Sequence, residues 1–254
     1  MTKHITDISQ RKAAIIAGLA FMLAIITTIL KWIWLLIKGG NDLPMKKTEK
    51  FWDMISIDFD KQASKGTEQN HIKIVENAKK HLKVGDIVLD CGCATGTVAI
   101  EIAGNVKKVH GIDISSKMID AAKRKAAERK IGNIDFAQST IFDERHKRES
   151  FDVILALNVL HLLEDTQKVM KKMNELLKPG GFVISSTVCM GEKKSFLNIL
   201  LIPLIKIGII PSMRFFKVSE LEDSIANGNF QIVETESLYD IGSQPNHFIV
   251  AKKI

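Results

Sequence analysis

The first apolar feature of the chain is a continuous run, not a periodic one. From Ala13 to Leu30 every residue is apolar, small or threonine, and after Lys31 the run resumes through Trp32, Ile33, Trp34, Leu35, Leu36 and Ile37. A stretch of this length spans the hydrocarbon core of a bilayer as one helix. Trp32 and Trp34 fall near its end, where indole rings favour the headgroup layer, and Lys31 is close enough to snorkel outward. The run is too long for the core of a signal peptide, and no small-x-small cleavage pattern closes it. Residues 1–12 therefore read as a tail, 13–37 as an uncleaved transmembrane helix and 38–47 as a linker that includes Gly39, Gly40 and Pro44, leaving 48–254 for one folded domain.

Past Thr48 the pattern changes to short β-branched runs alternating with helical periodicity. Strands are expected at Ile87 to Asp90, Lys108 to Ile112, Ile134 to Ala137, Phe151 to Leu157 and Phe182 to Thr187. Helices fit Lys117 to Lys130 and Thr166 to Leu177, the second stopped by Pro179, Gly180 and Gly181. Ser219 to Asn227 reads as a helix capped by Ser219 with Glu222 three residues on. Phe230 to Ser237 and His247 to Lys252 then follow as strands with no helix between them, which implies a terminal antiparallel hairpin. The fold class is α/β: a doubly wound, mostly parallel seven-stranded sheet with helices on both faces. Phe51, Trp52, Phe59 and Asp60 precede the first strand, on helices expected to close the cleft at the end of the sheet, and amphipathic packing explains them equally well.

One long apolar stretch does not fit the alternation. Phe196 to Pro211, followed by Arg214, Phe215 and Phe216, is long enough to suggest a second crossing. A crossing there would put the last two strands across the membrane from the sheet they must join. Pro203 and Pro211 also divide it. The insertion, residues 189–217, reads either as an apolar lid that also dips into the bilayer, with Lys206 and Arg214 near the headgroups, or as an extra helix on the core.

Composition narrows the chemistry. The formal charge is +7, but the lysines are scattered and no basic run interleaves with aromatics, so no nucleic-acid partner is expected. Cys91, Cys93 and Cys189 cannot all pair, and the first two are too close for an ordinary bridge, which points to a reducing compartment. No Cys/His cluster has zinc-site spacing, so no metal is expected. Lys3, Arg11 and Lys12 nearly balance Lys38, Lys46, Lys47 and Lys50, so charge does not orient the helix; the free thiols place the domain on the cytoplasmic side.

The most informative segment is Asp90-Cys91-Gly92-Cys93-Ala94-Thr95-Gly96, a small-residue turn between an apolar strand and a helix. Small residues there let backbone approach a ligand closely. A pyrophosphate would need G-x-G-x-x-G and would be repelled by Asp90; a ligand carrying an ammonium and a sulfonium is suited by that carboxylate. A second acid, Asp113, ends the next strand about 20 residues on, the spacing of one βαβ unit, where a carboxylate can accept both hydroxyls of a ribose.

At these residues the chain resembles the class I S-adenosylmethionine-dependent methyltransferases, whose first motif has the form D-x-G-x-G-x-G and whose second strand ends in an acid. The resemblance implies a Rossmann-like fold and S-adenosyl-L-methionine as cofactor, with Asp90, Gly92, Cys93, Ala94, Thr95 and Gly96 on its methionine part, Asp113 on its ribose, and Ile114 and Met118 flanking its adenine. Ala94 stands at the middle glycine position and is tolerated there if its φ stays negative. Where relatives have Gly-Asp-Ala after the third strand, this chain has Gln138-Ser139-Thr140; the Thr140 hydroxyl replaces a charged acceptor, at a cost of about 1 kcal/mol unless Ser139 compensates. Asn158 ends the fourth strand on the cofactor side. His161 is either a general base toward the acceptor or an organiser of the turn. Asn158-Val159-Leu160-His161 lacks the D/N-P-P-aromatic turn of amino-methylating DNA and protein-glutamine enzymes. The nearest resemblance is to the small-molecule branch that includes quinone-biosynthesis enzymes. With the apolar segments it implies methyl transfer to a small, lipophilic acceptor at a membrane. Protein or peptide methylation and a non-catalytic cofactor-binding scaffold are the alternatives.

Overall fold

The computed structural model describes residues 27, 30, 32, 33, 44–194, 196–238 and 244–254. The tail and the expected span at 13–37 lie outside the described residues except for Thr27, Leu30, Trp32 and Ile33, and among the described residues no helix is long and apolar enough to cross a membrane. Helix α1 (Pro44–Ser56) begins inside the stretch read as linker, with proline at its first position, where a missing N–H costs nothing. Helix α2 (Phe59–Lys79) follows after a two-residue turn.

A seven-stranded sheet then forms in the order β3-β2-β1-β4-β5-β7-β6. Its parallel strands are β1 (Ile87–Cys91), β2 (Lys108–Asp113), β3 (Ile134–Gln138), β4 (Phe151–Leu157) and β5 (Leu177–Val188). The antiparallel hairpin of β6 (Phe230–Ser237) and β7 (Asn246–Lys253) completes it, as the helix-free spacing implied. Between the strands run α3 (Thr97–Ile102), α4 (Ser116–Glu128), α5 (Thr166–Leu176), α6 (Phe196–Lys206) and α7 (Val218–Ala226). The β3-to-β4 crossover has no helix.

Period-two alternation divides the core between the two sheet faces. Leu89, Cys91, Ile154, Ala156, Ile249 and Ala251 face one side, under Met170 and Met173 of α5 and Leu221 and Ile225 of α7. Val88, Val153, Leu155, Phe248 and Val250 face the other, under Ile74 and Ala78 of α2, Ile100 of α3 and Ile119 and Ala122 of α4. Asp90 is in phase with Val88 and so lies on this second side. Strand order reverses between β1 and β4, and such a switch point opens a cleft at the carboxyl ends of the two strands.

Local readings need correction in three places. The cap of α7 is Lys217, whose N–H donates to Glu220 at 3.0 Å, so Ser219 lies inside the helix; Glu222 instead meets His247 of β7 at 3.0 Å. Helix α6 runs through Pro203 to Lys206 without breaking there, because Leu201, Leu204 and Ile205 pack into a third apolar cluster with Phe51, Met54, Met190 and Phe215. Trp32 joins that cluster and is 3% exposed, its indole N–H donating to the Ile209 carbonyl and its ring standing edge-on to Phe51. That indole is therefore held by protein, not by a headgroup layer.

Candidate active site

The glycine turn leaves β1 and immediately contacts β2. Gly92 and Cys93 N–H both donate to the Ile112 carbonyl, at 2.8 and 3.0 Å, so the chain doubles back over the end of the neighbouring strand. Gly92 has φ +76°, and a Cβ there would lie 2.6 Å from Val159 Cγ2. Glycine is thus needed both for the backbone and for the close approach of the turn after β4. Gly96, at φ +73°, precedes α3 and stands against Phe136 and Ala122 in the same way. Ala94 adopts φ +47°, against the negative φ expected for an alanine. Its N–H is held by Asp113 Oδ2 at 3.0 Å, and that bond overrides the local preference.

Asp113 accepts from two directions, since its Oδ1 also takes the Ser115 N–H at 2.9 Å. Burial raises its pKa, backbone N–H donors oppose the rise, and the charge of Asp53 adds to it. Asp90 is 2% exposed, and one of its carboxylate oxygens is buried without a hydrogen-bond partner. Desolvation, with the Asp113 charge second, pushes its pKa up to about 7. A buried, unpaired acceptor beside a second raised acid is costly by itself and is relieved by a positive group. The site thus fits a ligand bearing an ammonium and a sulfonium. The thiols beside it are inert: burial pushes Cys91 up to about 12 and Cys93 well above its usual value.

The ends of β2 and β3 are joined by Ser139 N–H donating to the Asp113 carbonyl at 2.9 Å. The Ser139 hydroxyl turns to Asp143 at 2.7 Å, and Thr140 Oγ1 accepts the Phe142 N–H at 3.3 Å. Asp143 supplies a carboxylate in this loop that the motif comparison did not register; the hydrogen bonds of Arg145 hold it below the usual carboxylate range. Ile114 follows Asp113 at the cleft, and Met118 is fully buried in the first turn of α4, its N–H capped by Ser115 Oγ at 3.1 Å. Asn158 sits exposed at φ +54°, its N–H on the Ser186 carbonyl at 2.7 Å, at the lip of the switch point.

His161 lies in the 3-10 turn Leu160–Leu162. It is buried, its Nδ1 has no partner, and desolvation lowers its pKa to about 4. Its carbonyl accepts the Arg214 N–H at 2.7 Å, which ties the turn after β4 to the insertion. The Arg214 guanidinium in turn stacks on Phe216 at 4.8 Å.

Residues missed by motif reasoning come from the N-terminal helices. Asp60 accepts from Thr95 Oγ1 at 2.5 Å and from Lys125 at 3.0 Å, while Lys125 also reaches Thr95 and Thr97, each at 2.8 Å. Asp53 accepts from Ser115 Oγ at 2.5 Å and the Lys117 N–H at 3.1 Å. The only available signal was the acidic, aromatic character of 51–60, which placed helices at the cleft without assigning partners.

Residues 82–233 match the family model described as a methyltransferase domain. The chain belongs to this family. Among curated relatives, the methyltransferase is 30% identical over 172 residues to a ubiquinone biosynthesis O-methyltransferase of Rickettsia bellii, covering 65% of this chain and 70% of that one. A Shewanella protein of the same name is 30% identical over 148 residues, covering 56% and 62%. Solved structures share the fold, among them the following two. The geranyl diphosphate C-methyltransferase of Streptomyces coelicolor superposes with TM-score 0.66 at 13% identity, over 85% of this chain and all (100%) of that one. A Methanosarcina mazei SAM-dependent methyltransferase gives 0.59 at 21% identity, over 70% and 97%. The methyltransferase is accordingly a Rossmann-like enzyme that uses S-adenosyl-L-methionine.

Proposed function

We propose that this methyltransferase methylates an oxygen of a small, lipophilic acceptor at a membrane surface. The observation that carries this reading is the apolar cluster at the carboxyl end of β5, where Trp32 and Phe51 meet Met190, Leu201, Met213 and Phe215 close to the turn after β4. An aromatic and methionine-rich cluster of this kind suits a flexible hydrocarbon acceptor. On the outer side Ile199 is 70% exposed, Ile207 68% and Leu30 59%, an apolar surface that a bilayer would cover. The apolar run at 13–30, ahead of the packed Trp32, and the relatives' role in ubiquinone biosynthesis favour the same placement, and the free thiols favour a domain on the cytoplasmic side.

When bound, S-adenosylmethionine supplies an electrophilic methyl group on a sulfonium. The protein's share is then alignment and exclusion of water. In this reading Asp90 and the Gly92–Gly96 turn hold the methionine part, with Cys93, Ala94 and Thr95 contributing backbone, and Asp113 holds the ribose. Ile114 and Met118 border the adenine, Ser139 and Thr140 its edge, and Asn158 the methyl-transfer position. His161 stays neutral at ordinary pH, which suits an imidazole that takes a hydrogen bond from the acceptor hydroxyl better than one that removes its proton outright.

The test is turnover of S-adenosylmethionine by the full chain with phenolic acceptors of matched ring and increasing isoprenoid tail, in vesicles. A kcat/KM at least tenfold higher for tailed acceptors is expected. Equal turnover of wholly water-soluble phenols overturns the lipophilic assignment, and turnover of amines alone overturns the oxygen assignment.

A further inference from the structure

The turn after β4 and the start of β7 meet on β5. Asn158 N–H donates to the Ser186 carbonyl at 2.7 Å, and Ser186 Oγ donates to Asn246 Oδ1 at 2.8 Å. Ser186 thus links the position assigned to methyl transfer with Asn246, the first residue of β7. Asn246 is fully buried, and its Nδ2 has no hydrogen-bond partner among the described residues. A buried amide donor in this state is rare and costly, and an oxygen brought by a ligand relieves it.

The surroundings of the amide say from which side that oxygen comes. Asn246 is in phase with Phe248 and Val250, which places it on the same face of the sheet as Asp90. Ser185, Thr187 and His247 also carry unpaired polar atoms, but they are in phase with Val183 and Ile249, on the opposite face with α7. Opposite Asn246 in the register of β5 with β7 is Val188, which packs against the apolar cluster of Trp32, Met190 and Leu201. The amide therefore stands where that cluster meets the cleft end of the sheet. From β4 across β5 to β7 is two strand steps, roughly 10 Å. That span suits a phenolic ring with an oxygen at each end, one toward Asn158 and the other toward Asn246.

We infer that Asn246 is a recognition residue for the acceptor: its Nδ2 donates to a second oxygen of the ring, on the far side from the oxygen that takes the methyl group. A carboxamide N–H accepts as partner a hydroxyl, carbonyl or ether oxygen. A hydrocarbon substituent in the same place leaves the donor buried and unpaired, and an ammonium has no lone pair to offer. Ser186 positions the group, because its hydroxyl occupies Oδ1 and leaves Nδ2 as the free end. The inference rests on the small lipophilic acceptor proposed above and adds a polar requirement at the end remote from the reacting oxygen.

Two acceptors of equal shape test it in the full chain with vesicles: a 4-methoxyphenol and a 4-ethylphenol, each with the same isoprenoid tail beside the hydroxyl. Wild type is expected to turn over the methoxy compound with a kcat/KM at least tenfold higher. Asn246→Leu is expected to bring that ratio below threefold, with turnover of the ethyl compound and uptake of labelled S-adenosylmethionine within about twofold of wild type. Ser186→Ala, which keeps the amide but frees its other end, is expected to lower the ratio about threefold. A wild-type ratio near one overturns the inference alone, whatever the variants do. Equal losses on both acceptors in Asn246→Leu, with the ratio kept, make the residue structural and also overturn it. Turnover of neither phenol by wild type overturns the proposed acceptor class and this inference with it.

Discussion

The Ala94 N–H donates to Asp113 Oδ2 at 3.0 Å while Ala94 itself sits at φ +47°. The acid that ends β2 thus holds a non-glycine residue of the preceding turn in the left-handed region, where a Cβ costs roughly 1 kcal/mol. Ala94→Gly should relieve that cost, partly offset by the greater freedom of glycine in the unfolded chain. A gain of about 0.5 kcal/mol in urea unfolding is expected, with cofactor affinity within twofold of wild type. A loss of stability would mean that the Ala94 methyl group makes packing contacts worth more than the strain.

Gly92 carries a steric prediction. A Cβ at this position meets Val159 Cγ2 at 2.6 Å, and its φ of +76° is strained for any side chain. Gly92→Ala should therefore destabilise by about 2–3 kcal/mol, combining overpacking with backbone strain. Shortening the partner separates the two contributions. Val159→Ala in the Gly92→Ala background is expected to recover about 1 kcal/mol, a coupling that a double-mutant cycle measures directly. Strict additivity of the two substitutions would show that the clash is relieved by other movements.

How much of this was legible in the sequence depended on the range of the interactions involved. Strand β4 was readable to the residue, because Phe151 to Leu157 is an apolar run with turn signals on both sides. The positions of Asp90 and Asp113 in the sheet were readable, because the first stands one residue before the end of β1, beside the glycine turn, and the second ends β2. The cap of α7 was not. Ser219 with Glu222 and Lys217 with Glu220 share the same three-residue interval, and the choice is made by His247, which engages Glu222 from β7. Asp53 and Asp60 likewise find Ser115 and Thr95 only once the sheet has formed, and no local pattern encodes those pairs. The φ of Ala94 is illegible for the same reason, since it is set by a carboxylate on the neighbouring strand.

Asp90 should trade stability against binding. Its buried oxygen has no partner, and its carboxyl is raised to about 7, so ionising it in the ligand-free protein is unfavourable. Asp90→Asn removes the charge with little change of shape. At pH 8 the ligand-free variant is expected to be more stable than wild type by on the order of 2 kcal/mol, less than the full linkage cost because the amide is also buried. Affinity for S-adenosylmethionine, read by calorimetry, should fall at least tenfold. A variant that is both less stable and equally tight would remove Asp90 from the cationic end of the site.

Asp90 and His161 also make opposite demands on pH. The Asp90 carboxyl is raised in the folded protein from 3.8 to about 7, so its favourable contribution is complete below pH 3.8 and is lost as pH rises to about 7. The unfolded chain gives up that proton first, and stability declines with rising pH across the window. The His161 imidazole is lowered from 6.5 to about 4 by burial. Here the unfolded chain takes up a proton first, so stability declines as pH falls from 6.5 to about 4, by up to about 3 kcal/mol. Over the shared window the two slopes offset each other in wild type. Each single variant should uncover the other group: Asp90→Asn is expected to lose stability on acidification, and His161→Phe on alkalinisation. Urea midpoints of the ligand-free proteins at pH 4.5, 5.5 and 6.5 provide the check, within the range set by the two folded pKa values. Parallel slopes of the same sign in both variants would show that other titrating groups dominate and that neither residue is buried in the state that unfolds.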